Sequence, residues 1–292
     1  IDKYARTGIR LADFEDEAFL KSRIQENISE KISLFKHYFD PSDSFAFDVD
    51  QIISQLRPAF QKIKKYLCHT PYFLHAAAQS GKRILLEGAQ GNGLDIDFGS
   101  YPYVTSSSTT SGGAATGSGI GVTSFEKVIG VFKAYITRVG GGALPTALPD
   151  DEMETLRQRG GEFGATTGRP RTCGWFDGVQ ARFSVMVSGM NQVAITKIDV
   201  LDSYKTVRFC TGYEIDGKVI EEFPVRSSDF EKIRPVYKDF PGWSKPTSRI
   251  QSFKDLPDEA KRYLDFVGKF IGCDVTYLSN GPERLETLVA GV

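Results

Sequence analysis

The residues best suited to chemistry lie between Glu87 and Gly121, in the run EGAQGNGLDIDFGSYPYVTSSSTTSGGAATGSGIG. Glycine, serine and threonine surround two carboxylates, Asp95 and Asp97. The run has too few apolar side chains to be core and is too sharply bounded to be a linker. Glycine lets main-chain N–H groups approach an anionic ligand closely, so a site built from loop backbone is expected here. Gln90 stands between Gly88 and Gly91, and its amide can bond a carbonyl oxygen without titrating. Asp95 and Asp97 fit either a ligand or Asx turns that hold the loop together.

Two further segments carry recognition chemistry. Thr196-Lys197-Ile198-Asp199 ends an apolar, β-branched run. An aspartate there accepts from both guanine N1–H and the exocyclic amine, whereas adenine offers an acceptor at N1. The lysine stem can lie over the base plane. Ser279-Asn280-Gly281 follows the later run Val275-Thr-Tyr-Leu278 and fits a small-residue turn against the same base. The second segment is Gly164-Ala165-Thr166-Thr167-Gly168-Arg169-Pro170-Arg171. Hydroxyls and N–H groups beside two guanidinium forks suit a carboxylate or phosphate.

Other chemistries lack their residues. No G-x-x-x-x-G-K-[ST] sequence occurs: Gly88 and Gly93 have the glycine spacing, but Leu94 stands where the lysine should be. The three histidines, His37, His69 and His75, lie away from the glycine-rich segments and read as structural or surface groups. No proton-transfer pair and no metal-ligand cluster is evident. Cys68, Cys173, Cys210 and Cys273 are scattered without a C-x-x-C pair, which fits free thiols in a reducing cytoplasm.

The elements that position these residues change character near residue 80. Before it the pattern is helical: Leu11 to Tyr38, broken at Pro41-Ser42-Asp43, then Val49 to Leu67 across Pro58, then His75 to Gln79. After it, strands alternate with helices, which predicts an α/β fold with a large, mainly parallel sheet flanked by helices. Strands are expected at Ile84–Glu87, Gln192–Ile198 and Val275–Leu278. Helices are expected at Asp150–Arg159, Phe176–Val187 and Leu256–Ile271. A capping box at Thr123–Glu126 predicts a helix running to about Arg138. Lys205 to Phe223 reads as a small antiparallel hairpin turning at Asp216-Gly217.

The 292 residues are 40% hydrophobic and 25% charged, enough for a sizeable core. A net charge of −1 gives no global field for nucleic acid or membrane. No apolar run approaches the roughly 20 residues that span a bilayer, and no signal peptide is visible. The chain opens at Ile1 inside a charged helical pattern, as a piece of a longer protein would.

Taken together, EGAQGNGLDIDFGSYPYVTSS, STTSGGAATGSGIG, KAYITRVGGGALPT, EFGATTGRPR, TKIDVLD and SNGPERLET resemble adenylosuccinate synthetase, in order and at family spacing. The likeness runs from Asp2 nearly to the end. It implies a GTP-dependent C–N ligase of AMP biosynthesis that joins IMP to L-aspartate through 6-phosphoryl-IMP, with magnesium, in a cytoplasmic homodimer. It implies a single P-loop GTPase-like domain over 1–292, with a helical subregion at 1–80 and an α/β core at 81–292. Gln90 would contact the IMP base, Thr105 the IMP phosphate and Val139 IMP through its backbone. Arg169 would lie where IMP and aspartate meet, and Arg6 would reach the partner subunit's IMP phosphate. Ala165, Thr166, Thr167, Gly168, Arg169 and Arg171 would form the aspartate loop. Arg171, Lys197, Ile198, Asp199, Ser279, Asn280 and Gly281 would hold GTP.

This chain departs from the family where the G-D-E-G-K-G-K phosphate loop, the catalytic aspartate and histidine and the magnesium ligands are expected. The resemblance places them, and a further IMP-phosphate threonine, before Ile1. The 292 residues alone are therefore expected to be inactive. A non-catalytic nucleotide-binding or regulatory homologue is the competing reading. A GTPase-like switch is weaker, having no use for Gln90, Thr105 and Arg169.

Overall fold

The computed structural model describes residues 1–39, 46–164, 168–202, 204–243 and 245–291. These form two compact units, Ile1–Ser80 and Gly81–Val292.

The first unit is helical: α1 (Asp2–Ala5), α2 (Glu17–Tyr38), α3 (Val49–Ile63) and α4 (Thr70–Gln79). Its boundaries follow from side-chain capping. Asp16 accepts from Phe19 N at 3.0 Å and Asp48 accepts from Asp50 N at 2.9 Å, each satisfying a donor orphaned at a helix start. The apolar spacing in α2 and α3 then has a destination: Leu20, Ile24, Val49 and Ile53 bury together, with Phe14 and Ile28 against them. Helix α3 continues through Pro58, as the sequence allowed. The expected break at Pro41-Ser42-Asp43 lies outside the described residues.

The second unit opens with α5 (Ser111–Ser118), then β1 (Ile129–Lys133) and β2 (Ile136–Arg138). It continues through α6 (Asp150–Gly160), β3 (Thr172–Gly174), β4 (Phe176–Asp177), α7 (Gly178–Ser188) and β5 (Gln192–Thr196). A hairpin region follows, β6 (Thr206–Ile215), β7 (Lys218–Ile220) and β8 (Arg234–Pro241), and then α8 (Asp258–Ile271), β9 (Val275–Ser279) and β10 (Thr287–Val289). Among the described residues the main sheet has the order β1-β5-β9-β10. Its first three strands are parallel, with Gly130 opposite Val193 and Ile195 opposite Leu278, and β10 is antiparallel to β9. A second sheet joins β4, β6, β7 and β8 and is largely antiparallel, while β2 and β3 form an antiparallel pair.

Helix α8 binds the two larger sheets together. Its aromatic stripe, Tyr263, Phe266 and Phe270, meets Phe209 of β6 at centroid distances of 6.4, 5.2 and 5.1 Å. Val267 and Ile271 bury in the same core as Val193, Ile195 and Leu278 of the main sheet. Each fully buried side chain of this size stabilises the fold by about 1.5–3 kcal/mol. Acidic residues in the first turn of α8 and Gly272 at φ 72° beyond its end complete a helix the sequence marked clearly. The predicted α6, β5, β9 and β6–β7 hairpin also form, with Asp216 and Gly217 both at positive φ in the turn.

Three expectations fail. Residues 84–87 form no strand, and Leu85 is 88% exposed. A strand needs a ladder partner as well as apolar residues, and among the described residues none pairs with this run. The helix expected from Thr123 to Arg138 is replaced by β1 and β2. The segment is β-branched, and the Asn191 side chain occupies the backbone groups a helix would use, accepting from Val128 N and donating to Glu126 O at 3.0 Å each. The helix expected from Phe176 starts two residues later, because Phe176 and Asp177 pair with β6 and the Asp177 carboxylate caps α7 at Gln180 N.

On the outer side of β1, at the edge of the main sheet, Ile129 and Val131 remain 41% and 71% exposed.

Candidate functional site

The parallel strands β1, β5 and β9 end at the same edge of the main sheet, and each delivers part of a site there. In open α/β sheets ligands bind beyond these carboxyl ends. Since Ile195 of β5 lies opposite Leu278 of β9, Lys197-Ile198-Asp199 and Ser279-Asn280-Gly281 emerge side by side. The sequence pairing of these two motifs is thus realised in space. Lys197 takes the left-handed conformation at φ 59° and starts a short 3-10 turn that buries Ile198. Asp199 is half-buried, and desolvation raises its carboxyl above the usual range. Among the described residues no other residue donates a hydrogen bond to this carboxylate, which leaves it with acceptor capacity. Asn280 is buried and braces the opposing turn by donating to Thr247 O at 2.7 Å and Ile250 O at 2.9 Å. Ser279 Oγ donates to Gly281 O at 3.0 Å, which closes that turn.

A second group centres on the glycine-rich run. Asp95 is fully buried and accepts from Asp97 N at 2.9 Å, Phe98 N at 3.1 Å and Thr109 N at 2.5 Å. Burial pushes this carboxyl up, but the backbone donors outweigh it and hold the group below its usual range. Of the two roles open in the sequence, Asp95 therefore takes the loop-holding one. Thr105 is fixed through its backbone, N to Leu94 O at 2.8 Å, while its hydroxyl shares a 3.2 Å contact with Ser107 Oγ. Gln90 is exposed and adopts φ 66°. It joins the same loop through its neighbour Gly91, whose carbonyl accepts from Thr109 Oγ1 at 3.1 Å.

Arg138, which the sequence reading passed over, ties this loop to Val139. Its guanidinium donates to Ser100 Oγ at 2.9 Å, Tyr103 O at 2.8 Å and Gly141 O at 2.9 Å. Val139, directly after it, is half exposed. Because Arg138 pairs with Thr172 across β2–β3, Arg171 arrives beside it, just before the start of β3. Gly168 and Arg169 belong to a narrow loop closed by Gly164 N to Arg169 O and Gly168 N to Gly164 O, both 2.8 Å. Ala165, Thr166 and Thr167 lie outside the described residues.

One buried acid joins the turn after β5 to β1 and to the segment before β3. Glu162 is 0% exposed and accepts from Lys133 of β1, Lys197 beyond β5, Arg171 before β3 and the Tyr135 hydroxyl. Burial raises its carboxyl, but these four donors together win and hold it down to about 2. Sequence reading missed Glu162, although a lone acid between Gly161 and Gly164, preceding two arginines, was a usable signal.

The structure does not bring every candidate together. Arg6 belongs to the helical unit, exposed at the end of α1, where its carbonyl accepts from Arg23. His37, His69 and His75 are all exposed in that unit. Among the described residues no three His, Cys, Asp or Glu side chains converge as a metal site. No helix among them is long and apolar enough to cross a membrane.

Comparison with known proteins agrees with the residue pattern. The family profile described as adenylosuccinate synthetase matches residues 1–288. The adenylosuccinate synthetase of Salinibacter ruber is 43% identical over 287 residues, covering 98% of this chain and 65% of that protein. The Caldanaerobacter subterraneus synthetase is 43% identical over 288 residues, covering 99% of this chain and 67% of that protein. The chain thus spans about two thirds of the length of these relatives. The structure of fully ligated adenylosuccinate synthetase from Plasmodium falciparum superposes with a TM-score of 0.89 at 32% identity, over 99% of this chain and 67% of that one. By profile, by sequence and by fold, this chain belongs to the adenylosuccinate synthetase family.

Proposed function

We propose that this chain supplies the guanine-reading and substrate-holding part of a GTP-dependent ligase. The ligase joins IMP and L-aspartate to give adenylosuccinate, GDP and phosphate in AMP biosynthesis. The observation that carries the reading is the adjacency of Lys197–Asp199 and Ser279–Gly281 at the ends of neighbouring parallel strands. A half-buried carboxylate with acceptor capacity suits the two N–H donors on the guanine edge. In this reading Gln90, Thr105 and Val139 hold IMP, and Gly168, Arg169 and Arg171 take the aspartate side together with Ala165, Thr166 and Thr167. Helical and α/β parts act as one synthetase domain, in a cytoplasmic homodimer where Arg6 serves the partner's IMP.

Magnesium belongs to the proposed reaction, but the described residues offer no cluster of ligands for it. Transfer of a phosphoryl group to O6 needs a base at N1 and a donor to the transferring group. The histidines of this chain are exposed and belong to the helical unit. The purified 292-residue polypeptide is therefore expected to bind guanine nucleotide without forming adenylosuccinate.

The test is titration of a fluorescent GDP analogue against the analogous xanthine nucleotide. Asp199→Asn should reverse the preference, since the amide can donate to the xanthine 2-oxo group. Unchanged selectivity in a folded variant would refute the assignment of Asp199 to the base.

A further inference from the structure

Lys197 is more than a charge at a strand end. Its Nζ donates to Glu162 Oε1 at 2.9 Å and to Gly160 O at 2.6 Å, so the tip of the side chain is fixed at two points. Its backbone at φ 59° fixes the other end. The methylene stem between them is held as a rigid apolar arm instead of sampling the rotamers usual for an exposed lysine. Arg171 is fixed by the same carboxylate, with one guanidinium nitrogen 2.5 Å from Glu162 Oε2 and its own backbone N 3.0 Å from Glu162 O. Lys133 bridges both carboxylate oxygens, at 2.9 and 2.8 Å, and the Tyr135 hydroxyl donates to Oε1 at 2.6 Å. The acid itself cannot rotate away, since Gly161 at φ 59° and the bond from Glu162 N to Arg157 O lock its backbone.

We propose that Glu162 is a positioning residue for guanine-nucleotide binding: it sets Lys197 and Arg171 as one unit, with Tyr135 and Lys133 holding the carboxylate in place. The inference rests on the assignment of Lys197 and Arg171 to the nucleotide. The carboxylate is buried, so it acts through the two cations it orients. A single cation would have been enough to neutralise it. Its oxygens instead collect cations from β1, from the turn after β5 and from the segment before β3, and two of those three carry the proposed nucleotide contacts.

The experiment uses the 292-residue chain in two readouts. The first is equilibrium binding of a fluorescent GDP analogue to the wild-type chain, Glu162→Gln and Tyr135→Phe, each checked for folding by circular dichroism. Glu162→Gln should weaken GDP at least tenfold. Tyr135→Phe, which keeps every ion pair and removes one hydrogen bond, should weaken it about threefold. The second readout needs no nucleotide. Acylation of the Lys197 amine, followed by mass spectrometry, should be slow in the wild-type chain and faster in Tyr135→Phe, at a rate that native packing alone would not change.

Equal GDP affinity in all folded variants overturns the proposal and leaves the guanine site standing. A wild-type chain that fails to bind GDP overturns the nucleotide assignment and this inference with it, whatever the labelling rate. Wild-type GDP binding with an unchanged Lys197 labelling rate in Tyr135→Phe overturns the tether alone. Should Glu162→Gln fail to fold, the Tyr135→Phe result decides.

Discussion

The Tyr213 hydroxyl donates to Asp177 Oδ2 at 2.7 Å, and both side chains are buried from solvent. Burial pushes the Asp177 carboxyl up to about 6, against the smaller pull of the Tyr213, Gln180 and Val179 donors. In the unfolded chain the group titrates near 3.8. Between these values the folded protein holds the extra proton, so Asp177 stabilises the fold at low pH and that contribution is lost as pH rises through 6. The loss is on the order of 3 kcal/mol. Asp177→Asn should flatten the dependence of urea midpoint on pH between 4 and 7 while keeping a cap on α7. A slope unchanged from the wild-type chain would mean that other groups control this window.

Glu162 works in the opposite direction. Its carboxyl, held to about 2 against an ordinary 4.5, favours the ionised form in the fold. Its contribution is present above 4.5 and disappears as pH falls through 2. Glu162→Gln leaves Lys133, Lys197 and Arg171 without their common counter-charge and with one acceptor oxygen in place of two. Breaking a buried pair from one side costs about 3–5 kcal/mol, which urea unfolding at pH 7 should read as a large drop in midpoint. A change below about 1 kcal/mol would mean that the three cations find water or other acceptors.

Arg138 can be separated from the ligand contacts by hydrogen exchange. Replacing it with alanine removes three charge-assisted bonds, to Ser100, Tyr103 and Gly141. Each such bond is worth about 1.5–3 kcal/mol. The Thr105 amide, bonded to Leu94 O, should lose protection in Arg138→Ala, whereas Val193 in the main sheet should keep it. Protection that falls equally at both amides would point to global destabilisation.

The turn at Gly99 admits no side chain. A Cβ there would meet Asp95 O at 2.5 Å and Gly93 O at 2.7 Å. Gly99→Ala must therefore displace the loop that Asp95 holds, at a cost of about 1–3 kcal/mol. Gly117→Ala is the control, because open space surrounds that position on a helix. Equal melting temperatures for the two variants would show that the loop gives way without loss.

Elements whose local chemistry and tertiary setting agree were legible in the sequence. Helix α8 has acids at its start, an apolar stripe and a terminal glycine, and the Asp216-Gly217 turn has the residues a tight hairpin demands. The region 123–138 misled because its capping-box pattern is local, whereas the strands are fixed by Asn191 and by pairing with β5, distant in sequence. The same division applies to the site. Lys197, Asp199 and Ser279–Gly281 could be read from a motif and a following turn. Glu162 left only the local hint of a lone acid between two glycines, because its importance comes from Lys133, Arg171 and Lys197, which meet only when three separate segments converge. Arg138 was hidden likewise, two of its three acceptors lying in a loop more than thirty residues earlier.

The exposed apolar side chains of β1 bear on how this polypeptide must be handled. A strand at a sheet margin offers free backbone donors and acceptors, and Ile129 and Val131 add a sticky surface beside them. Such a margin templates the addition of further strands, so self-association should set in as concentration rises. Light scattering across a dilution series would register it, and Val131→Lys should suppress it by placing a charge where an incoming strand would pack. Scattering that is identical in the variant would locate the adhesive surface elsewhere.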